Sequence, residues 1–146
     1  MKQICIAYGR NLDIKRMKQK CPHAKLLGKA QLNGWQIDFG RYITLAPAEG
    51  RIVPVGLWQI DDMALSEIDQ IEGYPTLYRR ECVQFEFNNK TINALVYLLN
   101  DMTPYKLPAD YVERLKIGYA DFGFDFNIIE QAISNHNKKS DLISNS

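Results

Sequence analysis

Leu65-Ser66-Glu67-Ile68-Asp69-Gln70-Ile71-Glu72-Gly73-Tyr74-Pro75 reads as a helix that stops, with strand-like sequence on both sides of it. Leu65, Ile68 and Ile71 share one helical face, so Met63–Ile71 is predicted helical, capped by Asp61 or Asp62. Gly73 and Pro75 end it. Beyond the stop, Tyr78–Phe87 and Thr91–Leu99 read as strands joined at Asn88-Asn89, two residues that tolerate positive φ. Before the helix, Ile52–Ile60 carries the run Val55-Gly56-Leu57-Trp58 and reads as a strand.

Further towards the start, Ile4, Ile6 and Tyr8 alternate with Cys5 and Ala7, none strongly polar, which predicts a short buried strand ending at Gly9. Asn11 and Asp13 offer N-caps to a basic helix over Ile14–Lys20, stopped by Pro22. Ala24–Leu32 is predicted as a strand closed by a hairpin turn at Asn33-Gly34. Trp35, Ile37 and Phe39 alternate with polar neighbours as in a half-buried strand. Arg41–Pro47 is expected to be extended, with a turn at Glu49-Gly50. Thr103–Pro108 is a loop, and helices are expected over Ala109–Tyr119 and Asp125–Asn135. Strands fill the middle of the chain, so the expected class is α+β, with a mostly antiparallel, barrel-like sheet. Residues 1–135 form the expected single domain, and 136–146 a polar, frayed tail.

At 146 residues the chain has the length of one domain and can fold without disulfides or metal. Its formal net charge of +1 argues against a nucleic-acid or membrane-surface partner. Lys15, Arg16, Lys18 and Lys20 cluster on the first helix and read as a solvated face in preference to a nucleic-acid site. Cys5, Cys21 and Cys82 are too far apart for a Cys-x-x-Cys site, so neither a disulfide framework nor zinc is suggested. The start Met-Lys-Gln-Ile-Cys-Ile lacks the apolar run of a signal peptide, and a cytoplasmic, reducing location is expected.

Three features bear on chemistry. Tyr8-Gly9-Arg10-Asn11-Leu12 is a tight turn that could gather backbone N–H groups around a carboxylate, or could be a plain strand-to-helix connection capped by Asn11. Glu72 lies at a helix C-terminus, facing the negative end of the dipole. That is the wrong place for an acid on stability grounds; such a residue is either a functional one with a raised pKa or an exposed surface Glu. Tyr78, Tyr97, Tyr105, Tyr111 and Tyr119 all follow it; tyrosines usually pack in cores with the hydroxyl on a partner, and some could equally line a polar pocket. His23 lies in a turn and His136 in the tail, so no histidine triad is plausible, and the carboxylates show no metal-ligand spacing. Any catalysis would be acid/base work by a carboxylate.

In order, these segments resemble the γ-glutamylcyclotransferase family, which includes the AIG2-like proteins. Tyr8-Gly9-Arg10-Asn11-Leu12 is similar to its Tyr-Gly-Ser-Asn-Leu/Met loop. Cys21-Pro22-His23-Ala24 and Leu27-Gly28-Lys29-Ala30-Gln31-Leu32 resemble the approach to its second strand. Val55-Gly56-Leu57-Trp58 resembles its Val-x-Gly-Val-Leu-Trp strand, and Ile68–Pro75, followed by Tyr78 and Arg79, its Leu-Asp-x-x-Glu-Gly block. Asn93–Tyr97 and Ile117–Gly123 resemble its last strand and C-terminal helix. The resemblance covers roughly residues 3–124.

The resemblance implies a mixed barrel-like sheet with flanking helices and a cavity at one end. It implies a reaction in which the α-amine of a γ-glutamyl group attacks its own γ-carbonyl, giving 5-oxoproline and releasing an amine or amino acid. By position Glu72 is the acid/base, and Tyr8, Gly9, Arg10, Asn11 and Leu12 hold the glutamyl group, with Tyr78, Tyr97 and Tyr111 near it. The implied partner is a small γ-glutamyl molecule, with no metal and no cofactor, and a monomer or weak homodimer is expected. Arg10 departs from the family's Ser: it either offers a guanidinium to a carboxylate or points to solvent. The competing reading is a non-catalytic ligand-binding or regulatory protein that keeps the cavity.

Overall fold

The computed structural model describes residues 2–144. In chain order the elements are β1 (Gln3–Ala7), α1 (Ile14–Lys20), β2 (Lys25–Phe39), β3 (Ile43–Ile60), α2 (Asp62–Glu72), β4 (Tyr78–Phe87), β5 (Lys90–Leu99), α3 (Ala109–Phe122) and α4 (Phe126–Ser144). A single 3-10 turn, Arg10–Leu12, lies between β1 and α1.

Among the described residues the five strands form one sheet in the order β2-β3-β1-β5-β4. β1 is antiparallel to β3 and parallel to β5, and the pairs β2–β3 and β4–β5 are antiparallel. The α+β class and the mixed, mostly antiparallel sheet with flanking helices therefore hold. The sheet is open, with β2 and β4 as its edges. Cys5, Ile6 and Ala7 of the central strand are all buried, which is why β1 lacks the polar alternation of a one-faced strand.

The predicted α2 appears as read. The Asp61 carboxylate accepts the Ala64 N–H at 2.8 Å, and Gly73 takes the left-handed conformation at φ 62° that closes the helix. Asp61→Ala is expected to cost about 1 kcal/mol; a thermal melt lowered by a few degrees checks it. Asn88 and Asn89 both have positive φ, as the β4–β5 hairpin requires.

Two expected turns are corrected. Asn33-Gly34 does not reverse the chain, and neither does Glu49-Gly50. β2 and β3 run straight through both, pairing Asn33 with Ile52 and Trp35 with Pro47, so the surplus residues bulge out of the ladder there. The real reversal lies between Phe39 and Ile43, where the Gly40 N–H bonds to the Tyr42 carbonyl at 3.1 Å. Sequence cannot easily tell a positive-φ bulge from a hairpin turn, because both recruit Asn-Gly.

The polar tail is also corrected. α4 continues to Ser144, and both His136 and Ser140 are buried. The His136 ring donates from Nε2 to the Tyr105 carbonyl and packs on Phe39 of β2. Met1 and residues 145–146, which belonged to the expected spans 1–135 and 136–146, lie outside the described residues. Among the described residues no helix is long and apolar enough to cross a membrane.

What places the candidate site is a close approach. Gly118 of α3 faces the chain at Leu12 so closely that a Cβ there would lie 2.5 Å from Leu12 Cβ. Leu12 itself is fully buried. A Cβ on Gly56 of β3 would lie 2.9 Å from the Leu12 side chain, so the two glycines let helix and strand close around it.

Candidate active site

A cavity of about 390 Å³ opens where the turn after β1 meets the end of α2. Its wall includes Tyr8, Gly9, Arg10 and Asn11 from the turn, and Ile71 and Glu72 from α2. Tyr78, Tyr97 and Tyr111 join it from β4, β5 and α3. The structure thus brings together every sequence-predicted site residue except Leu12. That residue fills the core beneath the turn, and its N–H is bonded to the Gly9 carbonyl at 3.0 Å.

The acid is held by a short chain of hydrogen bonds. Asn11 Nδ2 donates to Glu72 Oε1 at 2.7 Å, and Arg16 Nη1 donates to Asn11 Oδ1 at 3.0 Å. Only this amide orientation satisfies both partners, since a carboxylate can only accept and a guanidinium can only donate. Trp58 Nε1 donates to the Asn11 carbonyl at 3.0 Å and pins the turn to β3. Three residues before Glu72 on α2, Asp69 accepts the Tyr97 hydroxyl and so ties the helix to β5.

Burial pushes the Glu72 carboxyl above its ordinary range. The Asn11 hydrogen bond and the charges of Arg16 and Arg10 oppose that rise without reversing it. The result is an acid able to exchange a proton at a less acidic pH than a surface Glu.

The tyrosines divide by what their hydroxyls do. Tyr8 donates to the Tyr97 carbonyl, Tyr78 to the Ile43 carbonyl at 2.7 Å, and Tyr97 to Asp69. Tyr111 instead accepts the Ile43 N–H at 2.9 Å, which leaves its own proton for another acceptor. Burial keeps all four phenols protonated, Tyr111 being pushed up to about 12. Tyr105 and Tyr119 take no part: Tyr105 is exposed beneath Arg41, and Tyr119 is core packed on Phe124.

Arg16, Arg114 and Tyr42 also line the cavity and were not anticipated. Arg16 belongs to the basic cluster with Lys15, Lys18 and Lys20, for which a solvated face is expected. Those lysines are exposed, but Arg16 is half-buried. The available signal was the cap: the Asp13 carboxylate accepts the Arg16 N–H, which places residue 16 on the first turn of α1, beside Asn11. Among the described residues no three His, Cys, Asp or Glu side chains come together as a metal site.

A family model described as Gamma-glutamyl cyclotransferase, AIG2-like, matches residues 5–117. No curated protein matches the chain. Among solved structures, one titled Gamma-glutamyl cyclotransferase is 20% identical with a TM-score of 0.78, over 90% of this chain and 86% of that one. An uncharacterised Homo sapiens protein is 21% identical with a TM-score of 0.77, over 90% and 86%. YkqA from Bacillus subtilis is 19% identical with a TM-score of 0.75, covering 93% of this chain and 54% of its own. At such identities the likenesses show the fold.

Proposed function

Because the chain belongs to the AIG2-like γ-glutamylcyclotransferase family, we propose that it cyclises a γ-glutamyl group to 5-oxoproline and releases an amine or amino acid. The observation that carries this is Glu72, held by Asn11 in the cavity wall with its pKa raised, beside the turn Gly9–Asn11.

The nucleophile in this reaction is tethered to its target, so the protein has little to assemble. Glu72 takes a proton from the substrate's α-ammonium, and the freed amine attacks the γ-carbonyl carbon. The new C–N bond closes a five-membered ring, and charge collects on the carbonyl oxygen. The unspent hydroxyl proton of Tyr111 and the backbone N–H groups of Gly9–Asn11 are the donors suited to that oxyanion. Protonated Glu72 then gives its proton to the leaving nitrogen as the old C–N bond breaks. A second proton follows from the ring nitrogen by the same carboxylate, so the α-nitrogen's two protons end on the released amine.

The test is 5-oxoproline release from a panel of γ-glutamyl amines and γ-glutamyl amino acids; a ligand that binds and is recovered unchanged would instead identify a binding protein. The pH profile gives a second prediction. The Asn11 hydrogen bond favours the charged carboxylate, so losing it raises the Glu72 pKa. In Asn11→Ala the acidic limb of kcat/KM is therefore expected to move to higher pH than in wild type. An unmoved or lowered limb would mean that the limb does not report Glu72.

A further inference from the structure

The cavity wall holds three arginines, Arg10, Arg16 and Arg114, against a single acid, Glu72. Arg114 is already paired with Asp110 at 3.3 Å. Among the described residues, Arg10 and Arg16 have no carboxylate within salt-bridge distance, and the Nε of each is buried without a hydrogen-bond partner. A buried guanidinium N–H without an acceptor is costly, and two guanidinium charges near each other add repulsion. Burial and then the Arg10 charge hold Arg16 below its ordinary value, and the Glu72 and Asp13 carboxylates offset this only in part. The arrangement suits an anion that arrives with the substrate.

The surplus charge selects the anion. With Arg114 paired, the cavity-wall side chains Arg10 and Arg16 exceed ionised Glu72 by one positive charge. A γ-glutamyl group carries an α-carboxylate and an α-ammonium, so a γ-glutamyl amine brings no net charge. A γ-glutamyl amino acid brings one further carboxylate, on the carbon bonded to the leaving nitrogen. Glu72 must reach that nitrogen to protonate it, and Arg16 stands one side chain from Glu72, through Asn11. A guanidinium carries parallel N–H donors that match both oxygens of a carboxylate.

We propose that Arg10 and Arg16 form a receptor for a carboxylate on the leaving group, so that the preferred substrates are γ-glutamyl amino acids rather than γ-glutamyl amines. This rests on the cyclotransferase reading for the word substrate, but the receptor itself can be tested by binding alone. Arg10 is then the specificity-determining residue of the turn.

The probes are γ-glutamylalanine and γ-glutamylethylamine, which differ by one carboxylate on the leaving group. Binding is measured by calorimetry and turnover by 5-oxoproline release, in wild type, Arg10→Ser, Arg10→Lys and Arg16→Gln, each checked by thermal melt. A charge-assisted two-pronged bond predicts that wild type binds γ-glutamylalanine about 10- to 100-fold more tightly. The ratio should collapse towards one in Arg10→Ser and recover only in part in Arg10→Lys. Should Arg16→Gln fail to fold, the Arg10 pair of variants still decides. Equal binding of the two compounds by wild type overturns the inference, as does a ratio that survives Arg10→Ser. So does parallel weakening of both compounds, which would place Arg10 on the glutamyl carboxylate instead. Selective binding of γ-glutamylalanine without 5-oxoproline would uphold the receptor and defeat the cyclotransferase reading.

Discussion

Glu72→Gln is expected to lower 5-oxoproline release by about a hundred- to ten-thousand-fold, the range lost when a positioned acid/base is removed. Glutamine is the informative replacement. Its carbonyl oxygen can still accept from Asn11 Nδ2, so the chain from Arg16 through Asn11 to residue 72 can persist while the exchangeable proton is lost. The same variant carries a stability prediction of opposite sign. Because the folded protein raises the Glu72 pKa, it binds that proton more tightly than the unfolded chain does. The stabilisation this gives is present below the unfolded pKa and is lost as pH rises through the folded pKa. At neutral pH the ionised carboxylate therefore weighs against the fold. Glu72→Gln should melt no lower than wild type there, and any advantage should fade on acidification. A variant that loses activity and melts far lower would mark Glu72 as structural.

Leu12→Ala is expected to destabilise the protein by about 2–5 kcal/mol, the usual cost of emptying a buried leucine site. For a chain of this size that is a fall in Tm of roughly 5–15 °C. Leu12 is fully buried, enclosed by the close approaches of Gly56 and Gly118. Neither approach can tighten freely, because Gly56 is fixed in the β3 ladder and Gly118 in α3. The cavity left behind should therefore stay largely unfilled. A residue that touched ligand would behave otherwise, raising KM with little change in melting. An unchanged melt with a raised KM would return Leu12 to the binding surface.

Where local chemistry has one outcome, the sequence was legible. Leu65, Ile68 and Ile71 with Asp61 before them and Gly73 after them admit little but a capped helix, and that helix carries Glu72. Asn88-Asn89 between two strand-like runs could only turn. Asn33-Gly34 and Glu49-Gly50 were misread because a bulge and a hairpin ask for the same residues. The choice between them depends on pairing across β2 and β3, which is non-local. The tail was misread because Asn-Lys-Lys-Ser is polar, yet a helix buries only one side, and His136 and Ser140 fall on it four residues apart. Arg16 was hidden for a related reason: within a basic cluster, which residue turns inward is set by the cap at Asp13 and by Asn11 beside it. The site's ordered landmarks were visible, but the hydroxyl directions that separate Tyr111 from Tyr8, Tyr78 and Tyr97 exist only once the strands are paired.

The central claim is intramolecular cyclisation with proton transfer through Glu72, and it is tested most directly by turnover of a γ-glutamyl amino acid in water enriched in heavy oxygen. The mechanism takes no oxygen from water. Wild type should therefore give unlabelled 5-oxoproline and free amino acid in equal amounts, and Glu72→Gln should give almost none. Labelled glutamate in place of 5-oxoproline, or equal 5-oxoproline from both proteins, would contradict it.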